Sequence, residues 1–323
     1  MRLRIILGLG AAALMAVTTA LTDPPHAQTY PGGQVRVVVP FGAGSVTDTL
    51  ARVLADKLQP IWKQTVLVEN RPGLPGTTSV AKAPADGYTL MVTSNGHVIA
   101  KTLNKNVAFD PVEDFVGITR LVEVPFVMIV PPSLPAKTLS EFIDLARKEP
   151  GKYNFSSAGV ASTSFLAGET LRQAAGIQLV HVPFKGTPAA VTAVLRGDVA
   201  FYFSPIPDAS AQAEGGKARM LAITSATRSK DVPKVPTVVE AGVKGFKYSP
   251  WFGLLAPKGT PKTVVDKINA DVRAVLKMPE VVSRLSMLGS LPSPSSPAEF
   301  DAIIKADARA YASLLKKAGL HGK

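Results

Sequence analysis

The chain has 323 residues, room for about two average domains, and its 46% hydrophobic and 19% charged content is that of a folded globular protein. It contains no cysteine, which excludes disulfides, zinc–thiolate and iron–sulfur sites and thiol nucleophiles in one step. A formal charge of +12 carried by scattered cations suits a general attraction for small anions rather than a nucleic-acid footprint, and the four histidines lie too far apart in sequence to form a local metal motif.

At the N-terminus, Arg2 and Arg4 precede an apolar run from Ile5 to Leu21 that Asp23, Pro24 and Pro25 then break. This is the form of a signal peptide covering residues 1–27; small residues suited to cleavage lie at Thr18-x-Ala20 and at Ala27, the later site is favoured, and the segment predicts export to the periplasm. Short runs rich in β-branched residues follow at Val35–Pro40, Thr65–Glu69, Tyr88–Thr93, Phe126–Val130, Tyr153–Ser156, Gln178–Val182, Val199–Phe203, Met220–Thr224 and Trp251–Ala256. Helical periodicity lies between many of them, as in Leu50, Val53, Leu54 and Leu58, or in Phe142 and Leu145 behind a Thr138/Glu141 capping box. Strands with few internal charges alternating with helices predict α/β layers with mostly parallel sheets. Two amphipathic helices close the chain, one opened by Thr260-Pro261 and one by Ser296-Pro297 with Glu299. Loops are expected at Asn70–Thr78, Thr227–Thr237 and Pro292–Pro297.

Four strand-to-helix loops carry the residue types that hold an anion. The first is Phe41-Gly42-Ala43-Gly44, followed by Thr47 and Asp48, where small residues leave backbone N–H groups free at a helix N-terminus. It is neither a dinucleotide fingerprint, a P-loop nor a serine-hydrolase elbow. The second spans Ser157 to Ser164 and includes Gly159, Ala161, Ser162 and Thr163. Its run from Ser156 holds five hydroxyls, more than helix capping requires, which suits a carboxylate or phosphate. The third is Ser94-Asn95-Gly96-His97 and the fourth Lys185-Gly186-Thr187. All four sit at the carboxyl ends of strands, where ligands collect in open α/β sheets. Nothing in these residues requires a metal, a cofactor or a catalytic nucleophile.

Taken in order, Pro40-Phe41 to Asp48 with Ala51-Arg52, Glu69 to Gly73, Ala85 to Leu90, Phe109-Asp110-Pro111 to Phe115, Val182 to Gly186, and Trp251 to Pro257 resemble the substrate-binding receptors of tripartite tricarboxylate transporters, the Bug family. The resemblance covers essentially the whole chain after residue 27. It implies a two-lobed Venus-flytrap fold, lobe I holding residues 28–122 and 226–323 and lobe II residues 123–225. It also implies a monomer that captures an organic carboxylate between the Phe41–Asp48 and Ser157–Ser164 loops and delivers it to membrane transporter subunits. Departures stand at Ser45, Phe165 and Phe184, where the family often has glycine, histidine and tyrosine. Together with Phe201, Tyr202 and Phe203 they suggest a more apolar cleft wall that admits a larger or aromatic carboxylate. An exported enzyme using Asp48 or His97 as acid–base, and an orphan binding protein acting as a sensor, are the alternatives. The enzyme lacks paired carboxylates or a Ser–His arrangement at a telling spacing.

Overall fold

The computed structural model describes residues 30–248 and 250–322; the expected signal peptide, residues 1–27, lies outside them. In chain order the elements are β1 (Val35–Val39), α1 (Val46–Trp62), β2 (Val66–Asn70), α2 (Leu74–Ala81), β3 (Thr89–Ser94), a 3-10 turn (Asn95–Ile99), α3 (Ala100–Leu103), β4 (Phe115–Glu123), β5 (Phe126–Val130), α4 (Leu139–Lys148), β6 (Asn154–Ser157), α5 (Thr163–Ala175), β7 (Val180–Pro183), α6 (Thr187–Arg196), β8 (Tyr202–Pro205), α7 (Ile206–Glu214), β9 (Arg219–Ile223), β10 (Trp251–Pro257), α8 (Lys262–Val275), α9 (Pro279–Met287), β11 (Leu291–Pro292) and α10 (Pro297–Lys317).

Two sheets organise two lobes. The first has the order β11-β4-β10-β3-β1-β2. The second has β5 between β8 and β9, and the parallel pair β6-β7 joins it through a bridge between Phe155 and Phe201. Strands β1, β2 and β3 run parallel, and their buried valines and leucines accept cover on both faces. The sheets are nevertheless mixed rather than mostly parallel, because β10 pairs antiparallel with both β3 and β4, and β5 pairs antiparallel with β8 and β9.

Strand β4 carries no alternation that would mark it in sequence. Both its faces are covered, and Gly117 breaks its β-branched run. That glycine is a packing requirement, since a Cβ there would stand 2.9 Å from both Phe300 Cδ1 and Asp301 Oδ1 of α10. The expected loop at Asn70–Thr78 is partly helical, α2 opening with Leu74-Pro75 behind Gly73 at φ 79°. At the C-terminus, Ser296 and Glu299 complete a reciprocal capping box on α10, whereas Thr260 turns its hydroxyl to the Pro257 carbonyl instead of capping α8.

The chain passes from the first sheet to the second between β4 and β5. After β9 it stays with the second sheet: Ile223 donates to Pro236 O and accepts from Val238, both at 2.9 Å, and Val232 and Val235 are buried in that lobe's smaller core. The larger core runs from one lobe into the other, from Val35 and Leu50 to Phe142 and Phe155. Among the described residues, no helix is long and apolar enough to cross a membrane.

Candidate functional site

Strand β1 delivers the chain into a turn whose Gly42, Ala43 and Gly44 stand exposed, with Gly44 at φ 77°. Ser45 caps α1 by accepting from the Asp48 amide at 3.2 Å. Asp48 faces inward. Its carboxylate accepts from the Gly44 amide at 2.9 Å, Asn70 Nδ2 at 3.0 Å and Arg52 Nε at 3.2 Å, and Arg52 Nη2 lies 3.0 Å from its other oxygen. Burial alone raises this carboxyl, but Arg52, the Gly44 amide and Asn70 outweigh it and hold Asp48 below its usual value. Asp48 is therefore a brace beneath the turn. Asn70 also donates to Phe41 O, and the Arg71 and Gly73 amides donate to Val39 O and Pro40 O, so the segment after β2 supports the same turn from below.

The second-lobe loop uses all five of its hydroxyls internally. Ser156 donates to Ala190 O; Ser157 lies 3.0 Å from Gly159 O and 2.7 Å from His181 Nε2. Ser162 caps α5 by accepting from Phe165 N, Ser164 accepts from Ala158 N, and Thr163 donates to Asn95 Oδ1. Thr47 of the first lobe is likewise buried against Ser45 Oγ at 2.9 Å. The sequence argument that five hydroxyls exceed the needs of capping thus fails, because caps, turns and an inter-lobe bond use them all. Backbone amides are left instead. Among the described residues, the N–H groups of Ala43, Val46 and Thr47, and those of Val160, Ala161, Thr163 and Ser164, donate to no protein acceptor. Each set sits at a helix N-terminus, the positive end of the macrodipole.

The α5 loop meets the first lobe at the turn after β3. The turns after β1 and β3 lie at the same end of parallel neighbours. Gly96, in the turn after β3, meets Ala161 across the lobes so closely that a Cβ on Gly96 would stand 2.7 Å from the Ala161 carbonyl carbon. Ala161 itself holds φ 68°, a strained value for a residue with a side chain, of the kind that collects at binding loops. At the rim, Gly186 caps α6 and donates to Ala158 O at 3.2 Å, leaving Lys185 exposed beside it.

Residues 50–320 match the model of the tripartite tricarboxylate transporter family receptor. The chain belongs to this receptor family. It is 32% identical over 316 residues to protein BugT of Bordetella pertussis, covering 96% of this chain and 97% of that one. Among solved structures, the periplasmic binding protein BugD matches with a TM-score of 0.81 at 35% identity, over 91% of this chain and 100% of that chain. Two from Rhodopseudomonas palustris carry ligands: Rpa4515 with adipate, at TM-score 0.82, 31% identity and 91% and 100% coverage, and MatC with malate, at 0.79, 33% and 88% and 100%. The receptor is accordingly a solute-binding protein with the two-lobed fold.

Several residues of the receptor that look like ligand contacts in sequence are taken up by the structure. His97 is buried, donates from Nε2 to Pro111 O at 2.9 Å and packs against Phe109 and Phe115; desolvation pushes its imidazole down to about 4. It is a neutral structural residue. Ser94 and Asn95 are buried too, Asn95 between Tyr248, Tyr311 and Thr163. The apolar cleft wall also dissolves: Phe165, Phe201 and Phe203 are core residues, Phe201 packing against Phe142 and Phe155, and of that set only Phe184 is partly open. Sequence reasoning missed Asn70 and Arg52 as braces of the first turn, although both lie in quoted landmarks. It missed His181, half-buried against Phe155 and Phe165 and pushed down to about 4 by burial, because a lone strand histidine carries no spacing signal.

Proposed function

We propose that this receptor captures an organic carboxylate between the amide-lined N-termini of α1 and α5 and hands it to the membrane subunits of a tripartite transporter. The observation that carries this reading is the pair of unpartnered amide sets, one at the N-terminus of α1 and one at that of α5, with the carboxylate of the first turn, Asp48, saturated by its own loop. A free carboxylate there would repel the anion. The proposed contacts are the free backbone N–H groups of Ala43, Val46 and Thr47 on one side, and of Val160, Ala161, Thr163 and Ser164 on the other, whereas the Gly44, Gly159 and Ser162 amides serve Asp48, Ser157 and Gly159 O. Lys185 adds a cation at the rim. Relatives that hold adipate and malate support the ligand class.

The working unit runs from the end of an exported, cleaved leader as a monomer. Its lobe I comprises residues up to 123 and from about 247, and lobe II the residues between, since Thr237 and Val238 pair with Ile223. No chemistry is assigned. Ser157 and His181 are 2.7 Å apart, but Ser157 is fully buried and shares its hydroxyl with Gly159 O, so no substrate atom reaches it.

Isothermal calorimetry and thermal unfolding of the chain from residue 28, over mono-, di- and tricarboxylates, test the reading. A ligand at 100 times its Kd adds about 2.7 kcal/mol. Binding of neutral or cationic solutes in preference to every carboxylate would refute it.

A further inference from the structure

Asn95 is fully buried, and a buried amide is stable only if its donors and acceptor find partners. Its Nδ2 donates to Tyr248 Oη at 3.4 Å and Tyr311 Oη at 3.3 Å, and its Oδ1 accepts from Thr163 Oγ1 at 3.2 Å. Tyr248 in turn donates to the Thr163 carbonyl at 2.5 Å, closing a ring of Asn95, Tyr248 and Thr163. The four residues come from four places: the turn after β3, the first residue of α5, the segment returning to lobe I, and α10. Thr163 belongs to lobe II, while Asn95 and Tyr311 belong to lobe I.

We propose that Asn95, Tyr248 and Tyr311 are positioning residues that latch the α5 N-terminus of lobe II onto lobe I and so set the fraction of receptor with its two amide sets in register. Three features carry this. At the α5 N-terminus the seam is made of hydrogen bonds, whose groups can return to water when the lobes part. Gly96 beside it admits only one apposition, because any Cβ there meets the Ala161 carbonyl. Thr163 contributes its hydroxyl and carbonyl to the latch while its amide belongs to the α5 anion set, so one residue belongs to both machines. Neither tyrosine is among the proposed ligand contacts; Tyr248 acts on Thr163 directly and Tyr311 acts through Asn95.

The latch rests on the two-lobed clamp, so its test reads distance separately from binding. The chain has no cysteine, which allows clean double labelling. Fluorophores at Leu74→Cys and Ala189→Cys, exposed positions near the starts of α2 and α6, report the gap between lobes by single-molecule energy transfer. Tyr248→Phe removes one oxygen, and Asn95→Ala removes the hub. Without added solute, each variant is expected to lose close-approach population on the order of fivefold to tenfold relative to the parent. With malate and adipate as calorimetric probes, Kd is expected to rise by the factor by which that population falls, as it does for a ligand that binds only one state. Unchanged distances in a folded Tyr248→Phe protein overturn the latch. Weakened binding at unchanged distance also overturns it, by making these residues ligand contacts. If neither probe binds the parent, the carboxylate reading loses support while the distances still decide the latch.

Discussion

Gly96→Ala separates a steric from a conformational role for glycine at the lobe contact. Gly96 does not hold a positive φ, so alanine can adopt its backbone. The obstacle is space. The new Cβ would lie 2.7 Å from the Ala161 carbonyl carbon and nearer still to its oxygen, where ordinary contact begins at 3.4 Å. The facing group is backbone, so no rotamer relieves the clash, and the lobes have to part by at least about 0.7 Å at the carbon. The neighbouring Asn95–Thr163 bond, already 3.2 Å long, does not survive that displacement. Overpacking of this kind costs about 1–3 kcal/mol and a lost buried hydrogen bond about 1 kcal/mol more. In a chain of this size that lowers Tm by roughly 5 °C. Calorimetric unfolding and the inter-lobe distance should both respond. A Gly96→Ala protein with parental Tm and parental distance would show that the lobe contact is not maintained in solution, and the reasoning would fall.

Gly44→Val adds a β-branched side chain at φ 77°, where open space surrounds the Cβ but the backbone is strained; binding of the cognate carboxylate should fall more than tenfold, measured by calorimetry. Asp48→Asn keeps the shape but loses the ion pair with Arg52, so it should weaken binding less than Gly44→Val does; a larger loss would place Asp48 against the ligand itself. Ser162→Ala removes a helix cap worth about 1 kcal/mol of stability but no ligand donor, so Kd should change less than threefold by titration. His97 has a folded pKa near 4, below the usual 6.5, so the unfolded chain takes up the proton first; the stability it contributes is complete above 6.5 and lost as pH falls toward 4. Urea unfolding at pH 7 and 4.5 should therefore show the parent losing about 2.5 kcal/mol more than His97→Gln. Asp307, raised to about 6 by burial against the Trp251 N–H bond, works in the opposite direction over the same window, so the comparison is made between the two proteins and not on the parent alone.

The fold was legible where a period or a punctuation mark records the environment. The valines of β1, the stripe on α1 and the Ser296 capping box each have a local cause, and the structure keeps them. Strand β4 was not, because burial on both faces erases alternation and Gly117 reads as a breaker until α10 is seen against it. The positions of the strand-to-helix turns at β1, β3 and β6 were legible from the run of β-branched residues into small and polar ones. Their chemistry was not: counting hydroxyls cannot reveal that Ser164 serves the Ala158 amide or that Thr163 serves Asn95, since those partners lie across a loop or in the other lobe. Asn95, Tyr248 and Tyr311 come together only in three dimensions, and no spacing along the chain announces them.

The place of β10 in the first sheet governs how the chain can reach its native state. It lies between β3 and β4, and its Leu254 pairs with Val92 across the whole length of the second lobe. Until the C-terminal third is available, β3 and β4 present open edges to each other with no strand between them. The second lobe, inserted between, has its pairings within one stretch of chain and can form first. Ladders this distant in sequence close late and slowly. A chain truncated before Trp251 is therefore expected to carry one finished lobe beside an unzipped sheet with two exposed edges, prone to proteolysis and self-association. Such a product does not become a weaker receptor, because the lobe that orders the α1 anion set never assembles.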